Sequence, residues 1–368
     1  MTAPTLPVPD FAGRRDRLRA GLADAGVEAL LLTAPASVRW TSGFSGSNGQ
    51  VLLTASAERD RLITDERYEE RAAVEAPGVT VVLTRDPLGI ALASCGDGDR
   101  LGAEAAHLSW AEAADWSQRA DDVGIEVRPT HGQVERLREV KDAAELARLA
   151  RACQVTVDAL AWLFDEVATV GRTERELATL LERRFVDLGA DAVAFPSIVA
   201  SGPNAAVPHH APTDRPLRPG DLLTVDCGAL VDGYHADCTR TVAIGHLDDH
   251  LAAVYAEVEA AQAAGRAAAV AGARAGDVDA ACRDHLEARG YGDRFVHGTG
   301  HGVGLDIHEA PAVAKGSPAT LAAATALTVE PGVYLPGVGG VRIEDTIVVT
   351  ADGPPNILTT APRALRVL

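Results

Sequence analysis

The amino-acid sequence predicts an α+β domain preceded by a smaller α/β domain, and three features carry that expectation. Helix-like and strand-like stretches alternate from Phe11 to about Thr130, the pattern of a small, largely covered sheet. Long stretches with apolar residues at helical spacing then interleave with strands from about Lys141 to the end. Within that second region two strand pairs each carry two acids, Asp226 with Asp237 and Glu330 with Glu344. A chain of 368 residues with 47% hydrophobic content can bury one large or two ordinary cores. The expected domains are residues 1–134 and 135–368.

In the first domain, Phe11, Leu18 and Leu22 lie on one helical stripe, and a strand follows at residues 29–33. Further strands are expected at residues 50–53, 61–64, 79–83 and 125–128. The loop at residues 43–49, GFSGSNG, is rich in glycine and serine. It lacks the lysine of a P-loop and the spacing of a dinucleotide fingerprint, so phosphate binding is not its expected role.

A charged run near residues 134–142 enters a long helix. Leu146, Leu149, Cys153, Val157, Leu160, Phe164 and Val167 recur at helical spacing to about Ala168. A second helix begins at Thr173, with Glu176 completing a capping box and Gly189 stopping it. Asp248 or Asp249 starts a third, and Asp277 caps a fourth that Gly290 ends. Four amphipathic helices among strands fit a curved sheet backed by helices.

Residues 222–244, LLTVDCGALVDGYHADCTRTVAI, read as two strands joined by a turn. Side chains alternate faces along a strand, so Asp226 points away from Cys227 and Asp237 away from Cys238. Such a hairpin brings both carboxylates to one face, where they repel unless a proton or a cation intervenes. The two cysteines fall on the other face, where small apolar packing is expected in preference to a zinc–thiolate site. Three further pieces lie downstream: HGTGHGVGLDIHE at 297–309, VEPGVY at 329–334 and VRIEDT at 341–346. Two Asp, one His and two Glu in β-like sequence suit a pair of divalent ions, with carboxylates bridging. The loop ASGPNAAVPHHAP at 200–212 adds the adjacent pair His209 and His210.

This set resembles the pita-bread metallopeptidase family, which holds methionine aminopeptidase, aminopeptidase P and prolidase. The ligands match in the family's order as Asp226, Asp237, His301, Glu330 and Glu344, across essentially all of the chain from about Lys141. The paired acids of the two halves fit the family's internal pseudo-symmetry. The resemblance implies a pita-bread α+β domain binding two divalent metal ions. Manganese is expected on the oxygen-rich ligand set, with cobalt or zinc as alternatives. It further implies that His209, following Pro208, faces the substrate, with His210 its neighbour as the alternative. His308 is expected to contact the substrate peptide, and His297 to line the pocket beyond the scissile bond or simply to pack against the sheet. Asp226 would chelate one ion and His301 the other, with Asp237 and Glu344 bridging and Glu330 shuttling a proton. Thr239 is a candidate partner of a carboxylate ligand. Arg342 is a candidate partner of an acidic ligand or of the substrate.

Family members closest to this sequence cleave before proline, where the scissile nitrogen carries no N–H. The loop at 43–49 and TDERY at 64–68 resemble the N-terminal domain of small bacterial aminopeptidase P proteins, which favours aminopeptidase P over prolidase. Prolidase must also recognise a free carboxylate, and Arg39 is the arginine to watch. A pita-bread protein that only binds is the remote alternative. The N-terminal domain is expected to limit substrate length and to support a homodimer. The net charge of −18 argues against nucleic acid or an anionic membrane as partner. MTAPTLPVPD shows no signal-peptide pattern, and no apolar run approaches transmembrane length. Five scattered cysteines show neither disulfide nor zinc spacing, so a cytoplasmic, reduced protein is expected.

Overall fold

A computed structural model describes residues 5–368 of the chain. Two units divide it: Val8–Arg138, and Glu139–Leu368 with residues 5–7.

The N-terminal unit is built on one six-stranded sheet in the order β4-β3-β2-β1-β5-β6. Its strands are β1 (Ala29–Leu32), β2 (Gly49–Thr54), β3 (Arg61–Thr64), β4 (Thr80–Leu83), β5 (Arg100–Glu104) and β6 (Glu126–Thr130). Five of these fall where strand-forming runs predict them, and β5 does not. Its sequence, RLGAE, holds no β-branched residue. A Cβ at Gly102 would stand 2.9 Å from both Leu30 Cδ1 and Thr130 Cγ2, so the strand depends on close neighbours and not on propensity. The expected stripe through Leu22 is interrupted at Gly21, giving helices Phe11–Ala20 and Leu22–Ala25.

The larger unit repeats one plan twice. Helices Ala143–Trp162 and Glu174–Asp187 cover a sheet of β8 (Ile198–Ser201), β9 (Leu222–Cys227) and β12 (Cys238–Ala243), with β9 central. Leu160, Leu181 and Phe185 pack there against Val225, Cys227 and Val242. Helices Asp249–Ala268 and Ala275–Ala288 cover a second sheet in the same manner. That sheet contains β13 (Gly300–Gly302), β14 (Glu309–Val313), β15 (Ala326–Val329), β18 (Asp345–Val348) and β19 (Asn356–Ile357). Val258, Val278 and Cys282 meet Leu327, Val329 and Ile347 in its core. A two-stranded ribbon of β16 (Gly332–Leu335) and β17 (Gly339–Arg342) completes this half.

Three of the four helices begin on a side-chain cap, two of them at the residues expected. Asp142 with Glu145 and Thr173 with Glu176 form capping boxes, and Asp248 accepts from the His250 amide. The fourth begins earlier than expected: Asp277 lies in its first turn, and the cap position is Arg274, whose side chain makes no capping hydrogen bond. There an acid still complements the helix dipole without capping it.

Residues 222–244 are more broken than two strands and a turn. β9 pairs with β12 over six positions, from Cys227 opposite Cys238 to Leu222 opposite Ala243. The tip forms a separate ribbon of β10 (Ala229–Val231) and β11 (Tyr234–His235), which joins β7 (Ala192–Val193). Gly228 makes the break: a Cβ there would fall 1.8 Å from the Ala236 carbonyl oxygen. Asp232 and Gly233 turn the ribbon with φ of 45° and 77°, the geometry that an Asp-Gly pair adopts most easily.

Candidate active site

The β9–β12 register sets the first ligands. Asp226 lies opposite Thr239, and Asp237 precedes Thr239 by two residues, so the three side chains share one face. Cys227 and Cys238 take the other face and are fully buried in the first core. The second half supplies His301 from β13, Glu330 directly after β15, and Glu344 between β17 and β18. Two cross-links bring these groups to the first half. The Glu344 amide donates to the Thr239 carbonyl at 3.1 Å, and Thr346 Oγ1 donates to the Asp237 carbonyl at 2.8 Å.

The five predicted ligands converge. His301 Nε2 lies 3.5 Å from Asp237 Oδ2 and 3.4 Å from Glu330 Oε1. One donor atom each from Asp237, His301 and Glu344 fall within 4.8 Å of one another. His301 Nδ1 donates to the Gly302 carbonyl at 2.9 Å. In the neutral ring this leaves Nε2 a lone pair aimed at carboxylates. Burial pushes the His301 pKa down to about 4, so the ring is neutral at pH 7.

Four carboxylates in one buried place repel. Burial, then the Glu344 charge, holds Asp237 well above the usual carboxylate range, and burial with Glu330 does the same to Glu344. Burial raises Glu330 to about 8 against the opposing pull of Arg342. Among the described residues, Asp226 Oδ1 and Glu344 Oε1 are buried with no hydrogen-bond partner. Buried acceptors are otherwise nearly always satisfied. Orphaned oxygens, crowded anions and an unprotonated imidazole nitrogen fit hard divalent cations.

A second ring of groups holds these ligands. Arg342 donates to Asp226 Oδ2 at 2.7 Å, to the Tyr334 hydroxyl at 2.9 Å and to Thr239 Oγ1 at 3.1 Å. Thr239 Oγ1 in turn donates to Glu344 Oε2 at 2.7 Å. Arg342 thus serves an acidic ligand, and its donors are engaged although it lines the cavity. Thr328 Oγ1 donates to Glu330 Oε1 at 3.2 Å and accepts from the His301 amide at 3.1 Å.

The cluster sits in a cavity of about 550 Å³ whose apolar wall includes Phe195, Pro196, Ile198 and Ile307. His209, His297 and His308 line it as well. The His308 ring meets His301 edge to face at 4.4 Å. His297 both packs and lines the cavity: Phe295 stacks edge-on at 5.1 Å, and Nε2 accepts from the Tyr334 hydroxyl at 2.7 Å. His209 is exposed, whereas His210 Nε2 is 2.9 Å from Glu174 Oε2. That bond turns His210 away from the role of a free donor.

Sequence reasoning missed Tyr334, Thr328 and Glu174. Thr328 had a readable signal, since it shares the strand face of Glu330 two residues on. Tyr334 stood within VEPGVY, but only the β16–β17 pairing brings it to Arg342. Glu174 looked like an ordinary acid in the first turn of a helix.

Fold and site together define a metallopeptidase. The model of metallopeptidase family M24 matches residues 147–351, and that of the creatinase/prolidase N-terminal domain matches residues 14–140. The chain belongs to this family, in its aminopeptidase P and prolidase branch, and its larger unit has the pita-bread fold. An Xaa-Pro dipeptidase from Bacillus anthracis superposes with a TM-score of 0.92 at 36% identity, over 98% of this chain and 100% of that one. An Xaa-Pro dipeptidase from Pyrococcus furiosus is 31% identical over 94% of this chain and 98% of its own length. An X-Pro aminopeptidase from Thermotoga maritima superposes with a TM-score of 0.87 at 31% identity, over 96% and 99% of the two chains. Among the described residues no helix is long and apolar enough to cross a membrane.

Proposed function

We propose that this chain is a two-metal Xaa-Pro dipeptidase, a prolidase that hydrolyses dipeptides ending in proline. The observation that carries the metal-dependent chemistry is the pair of orphaned carboxylate oxygens, Asp226 Oδ1 and Glu344 Oε1, beside His301 at the cavity. The loop at 43–49 and TDERY favour aminopeptidase P; the Bacillus anthracis and Pyrococcus furiosus relatives shift the preference to the dipeptidase. The Thermotoga maritima likeness keeps the aminopeptidase as second reading.

Asp226, Asp237, His301, Glu330 and Glu344 would hold the ions, manganese by preference for an oxygen-rich donor set. Bound divalent ions supply an activated water and polarise the scissile carbonyl. Glu330 takes the proton released as the water attacks and delivers it to the proline nitrogen, which must be protonated to leave. His308 and His209 donate hydrogen bonds to the oxygen that gains charge in the tetrahedral intermediate. His297 borders the proline side of the pocket, and Arg342 orients Asp226. The N-terminal domain limits substrate length, the enzyme works as a homodimer, and five free cysteines suit a reducing cytoplasm.

The test compares the dipeptide Ala-Pro with the tripeptide Ala-Pro-Ala on manganese-loaded enzyme. A kcat/KM at least tenfold higher for the dipeptide is expected. The reverse order makes the enzyme an aminopeptidase P. No cleavage of either, with metal bound, leaves the binding-protein alternative.

A further inference from the structure

Glu174 is fully buried at the first position of helix Glu174–Asp187, a place where acids usually meet solvent. Its Oε1 accepts from the Ser201 amide and hydroxyl, each at 2.8 Å, and from Asn204 Nδ2 at 3.0 Å. Its Oε2 accepts from the Thr213 amide at 3.0 Å, the Thr213 hydroxyl at 2.6 Å and His210 Nε2 at 2.9 Å. Ser201 ends β8 and Thr213 lies beyond Pro212, so the donors come from both feet of the loop and from within it.

The rest of that loop has few ties. Its first turn closes through the Val207 amide on the Asn204 carbonyl at 3.0 Å and packs on β17, where a Cβ at Gly340 would stand 2.1 Å from the Ala205 carbonyl. The Pro208 carbonyl has a long bond of 3.4 Å from Arg342. His209, between those ties and His210, is exposed toward the cavity with no hydrogen bond among the described residues. A buried anion persists only where donors replace water, and these donors all belong to the loop or its feet. Their hydrogen bonds overcome burial and hold the carboxyl at about 2, so it is anionic throughout the working pH range.

We infer that Glu174 is a positioning residue: it pins the loop of residues 202–212 from both ends and thereby sets His209 over the cavity. The role of His209 rests on the peptidase reading above; the pinning of the loop does not. Glu174→Gln keeps the shape but replaces one acceptor oxygen with an amide donor, which faces donors already in place. We expect kcat on Ala-Pro to fall at least tenfold and the thermal midpoint to drop, with KM and manganese content little changed. In the background of His209→Ala the same substitution should cost almost nothing further, because both act on one contact. Multiplicative losses in the double variant, or unchanged kcat in Glu174→Gln, overturn the inference.

Hydrogen exchange supplies a readout independent of turnover. The Ser201 and Thr213 amides should exchange at least tenfold faster in Glu174→Gln, even if Ala-Pro proves not to be a substrate. Wild-type-like protection would then refute the pinning itself. Should Glu174→Gln fail to fold, Thr213→Val removes one donor and keeps the carboxylate. It should show a smaller kcat loss, about threefold, and the same non-additivity with His209→Ala; additivity there overturns the inference equally.

Discussion

Asp226 is held by two kinds of positive partner, the Arg342 guanidinium on one oxygen and the proposed metal on the other. The division predicts distinct phenotypes for neighbouring residues. Asp237→Asn keeps the size of this proposed ligand but removes its charge, so metal content measured by atomic absorption and turnover should both fall to background. His308→Ala should retain both metals while kcat/KM on Ala-Pro drops by about 2–4 kcal/mol of barrier, the usual cost of losing an oxyanion donor. A metal-depleted His308→Ala protein would move that ring into the ligand set. The proposed metal ligands could be named from the sequence because Asp226, Asp237, His301, Glu330 and Glu344 stand in the order that the resemblance to the pita-bread family implies. Of the residues that hold them, Thr239 and Arg342 could be read from strand alternation, whereas Tyr334 looks like an ordinary strand former until the β16–β17 pairing brings it to Arg342.

The hairpin β9–β12 sets the spacing of the proposed ligands Asp226 and Asp237 at the scale of elements. Strand alternation alone placed Asp226, Asp237 and Thr239 on one face, and the observed register agrees. The break at Gly228 was not legible, since nothing in GAL reveals that the Ala236 carbonyl crosses above it. Gly228→Ala should force the two strands apart and destabilise the fold by about 1–3 kcal/mol in urea unfolding, as overpacking does. Metal affinity should weaken with it, because Asp226 and Asp237 flank the break. Acid sensitivity belongs to the loop and helix joined by Glu174. Folding lowers that carboxyl from an ordinary 4.5 to about 2, so the unfolded chain binds the proton first as pH falls. Its stabilisation, on the order of 3 kcal/mol by linkage, is complete above the ordinary value and fades between about 4.5 and 2. Wild type and Glu174→Gln should therefore differ in urea midpoint at pH 7 and converge toward pH 2. A gap that stayed constant down to pH 2 would mean that the charge is not what stabilises the loop.

At the scale of the whole molecule, the sequence revealed two domains and a doubled catalytic half because helix and strand periodicities change character near residue 135. It did not reveal that residues 5–7 belong with the catalytic unit. Leu6 packs on the first core, and the Pro7 carbonyl accepts from Arg148 at 2.8 Å. A chain starting at Glu139 would keep every proposed ligand and lose this strap. We predict that it folds with a lower thermal midpoint. The half-buried leucine and the hydrogen bond together should cost about 2 kcal/mol. It should still bind two manganese ions per chain, read by titration of the metal-free protein. Selectivity is the informative readout. If the N-terminal domain limits substrate length, the truncated chain should lose preference for Ala-Pro over Ala-Pro-Ala while retaining cleavage of the tripeptide. A preference unchanged by truncation would assign length selection to the catalytic cavity, where the histidines then become the groups that meet the free carboxylate. Restoring residues 5–7 by fusion ahead of Glu139 separates the two effects: stability should return, and selectivity should not.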